Sequence, residues 1–172
     1  MYELLAIFSV GILAKLTDLI VDEGLDLKRF GYFLGIVYGI LIGYVLISNP
    51  ILASLGLAIT ISVIVTRKID HLQHALGIAS MLVILGIFGM PSLDPILLVI
   101  FLIGGIVDEI MSDLADRNKL KGFLKTFFSY RLTLELLTFL VSLITGLWIL
   151  FMGMILFDAG YILTERIGRR FT

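Results

Sequence analysis

Residues 31–66 read GYFLGIVYGILIGYVLISNPILASLGLAITISVIVT and carry no charge anywhere. A turn signal, Asn49-Pro50, sits in the middle. Each arm is close to the lower limit of roughly 17 residues for a helix that spans about 30 Å of hydrocarbon. Gly31, Gly35, Gly39 and Gly43 recur at every fourth position of the first arm. In water this would only weaken a helix. In lipid, no water drives helices together, and small residues at this spacing let two backbones approach closely. The block therefore predicts a helical hairpin in a membrane.

The rest of the chain follows the same pattern. It is 172 residues long, 59% hydrophobic and only 16% charged, with mean hydropathy +1.10. Average soluble domains are about 25% charged. Residues 74–108 make a second apolar block with its turn at Pro91, and residues 132–165 a third, with Thr145-Gly146-Leu147-Trp148 at its middle. An apolar run from Leu4 to about Ile20 precedes them, and MYELLAIFSV lacks the basic start of a signal peptide. The expected fold is an all-α polytopic integral membrane protein, a single domain over residues 1–172. It has about seven short spans, one helix plus three helical hairpins. Six spans, with an unbroken last helix, is the alternative.

Lys28, Arg29, Arg67, Lys68, Arg117, Lys119, Lys121, Lys125 and Arg131 fall on one side of such a bundle, and seven spans add Arg166, Arg169 and Arg170. The positive-inside rule makes that side cytoplasmic, which puts the N-terminus outside and the C-terminus inside. Glu3 and Asp94 are left at the opposite turns.

Charges inside a bilayer are costly and mark function by default. Lys15, Asp18 and Asp22 share a face of the first span, and Glu109, Asp113 and Asp116 form a stripe after the fifth. Asp70, His71 and His74 lie in RKIDHLQH, and Glu135 follows Arg131 by one turn. Asp158, Tyr161 and Glu165 line the last span. Helix C-termini disfavour carboxylates, so something positive must compensate these acids. Bound Mg²⁺ or Mn²⁺ suits oxygen ligands. Asp18, Asp22, Glu109, Asp113 and Asp116 are the expected metal ligands. Arg117 and Arg131 are expected to hold phosphate, and Gly35 and Gly39 to line a slot for a lipid tail. Lys15, Glu135 and Asp158 are the expected reactive groups.

The spacings Asp18/Asp22 and Glu109/Asp113 are loosely similar to those of intramembrane prenyltransferases, but that family's asparagine/aspartate-rich loops are missing. The CDP-alcohol phosphotransferase pattern D-x-x-D-G-x-x-A-R is absent as well, so no family is assigned. Phosphate loops of the G-x-x-x-x-G-K-[ST] kind and G-x-S-x-G elbows are also absent. The chain has no cysteine, and its net charge of -1 gives no field for nucleic acid. Residues 117–131 (RNKLKGFLKTFFSYR) read as a basic, aromatic segment lying on the membrane surface.

Three functions fit. The first is a Mg²⁺-dependent enzyme acting on a lipid phosphate or polyprenyl diphosphate at the cytoplasmic face. The second is a transporter or channel for a small cation or proton-coupled solute. The third is a non-catalytic scaffold. A glycine-faced bundle of this size also suggests a homodimer.

Overall fold

A computed structural model of the chain describes residues 1–21, 28–69 and 71–168. Its described residues form eight helices: α1 (Tyr2–Val21), α2 (Lys28–Ser48), α3 (Pro50–Val65), α4 (Leu72–Phe88), α5 (Pro95–Asp116), α6 (Gly122–Ser129), α7 (Leu132–Thr145) and α8 (Trp148–Gly168).

The boundaries follow local chemistry. Asn49 caps α3 by accepting from the N–H groups of Ile51 and Leu52 at 3.1 and 3.2 Å, and Pro50 begins the helix. Asp94-Pro95 repeats the device at α5, with Asp94 accepting from Ile96 and Leu97 at 2.9 and 3.1 Å. In both cases a side-chain oxygen satisfies donors that the first turn leaves unpaired, and proline supplies a preset φ with no donor to lose. The third block breaks at Gly146, which is left-handed at φ 76° and donates its N–H to the Ser142 carbonyl at 2.8 Å. Any side chain would strain that backbone, so glycine fits it. The unbroken last helix of the six-span alternative is not formed.

Four helices, α1, α2, α5 and α8, are long and apolar enough to cross a membrane, or five if α6 and α7 count as one bent span. The apolar helices α3 and α4 have 16 and 17 residues, and α7 has 14. The expectation of seven spans thus meets only four of span length, because capping residues and glycines cut the apolar blocks into unequal pieces.

The packing also departs from simple sequential hairpins. α4 packs mainly on α2 and α5 on α3, rather than α4 on α5. The reason is the placement of small residues. A Cβ on Gly35 or Gly39 would lie closer than 3.0 Å, or nearly so, to backbone atoms of Gln73 and Gly77 on α4. Gly77 in turn accommodates the Tyr38 ring. Gly105 of α5 lies against Ser62 of α3. α1 and α8 cross through a reciprocal pair, Gly11 against the Phe157 carbonyl and Gly160 against that of Phe8. The remaining contacts, α1 with α2, α7 with α8 and α5, and α3 with α2 and α8, close the bundle.

Its interior is apolar, with Phe101, Leu150 and Ala58 in one cluster and Leu46, Ala53, Met81 and Leu85 in another. The outside is apolar too: Ile144 is 83% exposed, and Phe88 and Ile96 are each 69% exposed. A soluble bundle does not present so continuous an apolar belt.

Candidate functional site

Among the described residues the charged side chains gather at one end of the bundle, except for Glu3, Asp94 and Asp158. Glu3 is bound to the N-terminal ammonium at 2.9 Å, and Asp94 is the α5 cap. Asp158 lies at the midpoint of α8, about 15 Å from either end. The charged end comprises the C-termini of α1, α3, α5 and α8 and the N-termini of α2, α4 and α7.

The α7 start is recessed, because α7 is seven residues shorter than its partner α8. The first N–H groups of a helix have no partner inside the helix, and in apolar surroundings they must find one. Asp108 of α5 supplies it. Its two oxygens accept from the N–H groups of Thr133 and Leu134 at 3.0 and 2.9 Å, and the residue is only 2% exposed. Beside it, Arg131 sits in the left-handed region at φ 53° and donates from Nη1 to Glu109 Oε1 at 3.0 Å. Among the described residues Glu109 Oε2 is buried without a hydrogen-bond partner. One turn along α5, Asp113 binds Lys68 and also Arg117, the latter at 2.8 Å. Lys68, Glu109, Asp113 and Arg117 line an open groove of about 300 Å³ between α3 and α5. Asp116 is exposed at the end of α5.

The expected metal ligands are therefore divided. Glu109 and Asp113 face cations from α3, α5 and the α7 start, while Asp18 lies in a separate group. Asp22 lies outside the described residues, as does Asp70. Among the described residues no three His, Asp or Glu side chains are placed to hold one metal ion. Arg117 and Arg131, expected to hold phosphate, are in ion pairs with Asp113 and Glu109. Gly35 and Gly39 lie against the α4 backbone, which fills the space expected for a lipid tail.

The Asp18 group joins four helices. Tyr161 of α8 donates to Asp18 Oδ2 at 2.6 Å. His74 Nε2 of α4 lies 3.0 Å from Asp18 Oδ1, and the other ring nitrogen, Nδ1, is 2.9 Å from the Tyr38 hydroxyl of α2. Lys15 is buried, with Nζ 5.1 Å from the centre of the Tyr161 ring. The sequence points to Asp18, Lys15, Tyr161 and His74 one by one. It does not join them, because the joining depends on α1 and α4 both packing on α2.

Glu135 and Asp158 face each other across the α7–α8 hairpin, near enough for each carboxyl to feel the other. Counting back from Gly146, the two residues lie at matching distances from the turn. Among the described residues Glu135 Oε2 is buried without a hydrogen-bond partner. Two carboxyl groups can hydrogen-bond only when one of them holds a proton. Asp113 and Glu109 meet guanidinium or ammonium groups; Glu135 and Asp158 have each other, and then Asp108, as charged neighbours. Half-buried Glu135 begins a polar row on α7 that continues through Thr138 and Ser142, both fully buried, toward the uncharged end. Tyr161 follows Asp158 by one turn and leads to Asp18.

No family model matches this chain, and comparison with curated proteins and with solved structures likewise returns no match.

Proposed function

We propose that the chain is an integral membrane protein that exchanges a small cation for protons, with the Glu135–Asp158 pair as the shared binding site. α1 to α5, α7 and α8 cross the bilayer, and α6 does not. The Lys/Arg distribution supports a cytoplasmic charged end and an N-terminus outside. The short helices α3, α4 and α7 are matched by their flanking basic residues and by local thinning of the bilayer.

The observation that supports the reading is two carboxyl groups facing each other across two apolar helices, Asp158 at the midpoint of α8 and Glu135 in the first turn of α7. Ionisable groups there mark ion and proton pathways. A carboxyl pair whose partner is another carboxyl can hold a proton or a cation, and the two compete. Thr138 and Ser142 extend a polar row over about 10 Å from the pair toward the uncharged end. Tyr161, Asp18 and His74 extend another toward the opposite side of the bundle.

The test is a proteoliposome assay with a pH reporter trapped inside. After an inside-acid gradient is set, Na⁺, K⁺, Li⁺ and small ammonium ions are added in turn. Wild type should release protons in response to at least one, and Asp158→Asn and Glu135→Gln should not. Proton release that is unchanged in both variants contradicts the proposal.

A second reading, a Mg²⁺-dependent enzyme on a lipid phosphate or diphosphate, is favoured by the groove beside Lys68 and Arg117. It requires phosphate to displace Asp113 from both cations. A Mg²⁺-dependent rise in melting temperature, lost in Asp113→Asn, would support it.

A further inference from the structure

The geometry of α6 points to a site for anionic lipid headgroups: we infer that this helix lies in the membrane interface at the charged end of the bundle and binds them. Its eight residues separate cleanly by face. Phe123, Leu124, Phe127 and Phe128 occupy one side, and Gly122, Lys125, Thr126 and Ser129 the other. The bundle covers only part of the apolar side, at Phe127 and Phe128, which are half-buried. Phe123 is 78% exposed, Leu124 53%, and Tyr130, just after the helix, 70%. Phe127 touches both Phe123 and Phe128, with ring centres 5.8 and 5.1 Å apart, so the aromatic face is continuous.

The direction of the helix matters as much as its composition. α6 meets α7 at 80°. α7 runs along the bundle with α8, so α6 runs across it, in the plane a membrane surface would occupy. Arg131, left-handed at φ 53°, lies in this turn, and Gly122, left-handed at φ 58°, begins α6 at its other end. Lys119, Lys121 and Lys125 are all exposed around the apolar face, and Lys125 also reaches Asn118 Oδ1 at 2.6 Å. An apolar face rimmed by lysine is complementary to a surface of acyl chains and phosphate headgroups. Arg131, the N-cap position of α7 just beyond α6, also holds Glu109. The lipid site is thus joined directly to the helix that carries Glu135.

The inference rests on the membrane placement proposed above, and the test separates the two. The chain has one tryptophan, Trp148, at the far end of the bundle. In vesicles of phosphatidylcholine and phosphatidylglycerol, one or other lipid is brominated to quench nearby tryptophan. In wild type both brominated lipids should quench Trp148 about equally. In the double variant Trp148→Phe/Phe123→Trp, quenching should report a preference of roughly threefold or more for phosphatidylglycerol, since each lysine near the surface favours anionic lipid severalfold. Adding Lys119→Gln, Lys121→Gln and Lys125→Gln should abolish the preference while leaving quenching by both lipids. Equal quenching before the lysines are removed would overturn the headgroup site. Quenching of Trp148 with none at position 123 would place α6 in water, against another protein or solvent, and overturn it as well. No quenching at either position would overturn the membrane placement and the lipid site together.

Discussion

Gly39→Ala adds one methyl group at the closest approach of α2 and α4. That methyl would fall within 3.0 Å of the Gly77 carbonyl carbon and Cα, and its oxygen is nearer still. These are backbone atoms, so no side chain can swing aside. Ordinary contact begins near 3.4 Å. The helices must therefore part by about 1 Å, and a gap of that size forfeits a quarter to a half of the dispersion energy of each contact it opens. Gly31 and Gly43 lie on the same seam, against Gln73 and Ile84, and lose contact too. Overpacking typically costs about 1–3 kcal/mol, and we expect the upper part of that range here. Gly86→Ala is the internal control: it is also a helical glycine on α4, but a Cβ there meets nothing within 4 Å. The assay is reversible unfolding in mixed detergent micelles, with both variants measured against wild type. Gly39→Ala should be destabilised by about 2–3 kcal/mol and Gly86→Ala should be unchanged or slightly stabilised. Equal effects of the two substitutions would refute the close α2–α4 crossing.

Further outcomes follow from the polar groups. Asp108→Ala strips the acceptor from two buried N–H groups, each worth about 1–3 kcal/mol when left unsatisfied; unfolding should show a loss of at least 2 kcal/mol, and a neutral result would remove Asp108 as the α7 cap. Tyr161→Phe loses the bond to Asp18 and should cost about 1 kcal/mol, whereas Tyr44→Phe, at an exposed tyrosine, should cost nothing measurable. Millimolar Mg²⁺ or Mn²⁺ should leave the melting temperature of wild type unchanged, because Glu109 and Asp113 already face cations; a rise would return the metal-dependent enzyme to first place. The chain has no cysteine, so Thr138→Cys provides a single thiol, and a small impermeant reagent should reach it from the uncharged side in a cation-dependent way. Complete protection from that side would close the proposed path along α7.

Much of the architecture is legible in the residues. Asn49-Pro50 and Pro91 read as turns and the helices do break there, while the caps that Asn49 and Asp94 place on α3 and α5 emerge only in the structure. Gly146 marks the break in the last block because a left-handed residue there needs glycine. The glycine row at positions 31 to 43 predicts a close crossing, but not which helix fills it. That is a long-range matter, and α4 is chosen because Gly77 offers a second small residue opposite Gly39. The site is harder to read for the same reason. The acids at the ends of α1 and α5 appear adjacent in a topological sketch, yet Asp18 pairs with Tyr161 and His74, while Asp113 and Glu109 pair with Lys68, Arg117 and Arg131. Compensation by cations is expected from the helix ends. That lysine and arginine supply it at α5 depends on where α3 and α7 end. Asp108 is invisible as a cap in the sequence, since the N–H groups it serves are 25 and 26 residues away.

The central claim is that Glu135 and Asp158 share a proton inside the bundle. The most direct measurement is infrared spectroscopy of the protein in lipid bilayers near neutral pH, comparing wild type with the double variant Glu135→Gln/Asp158→Asn. Wild type should show the carbonyl band of a protonated carboxylic acid, shifted in D₂O, and the double variant should lack it. A wild-type spectrum with carboxylate bands alone, or a protonated band that survives the double substitution, would contradict the account.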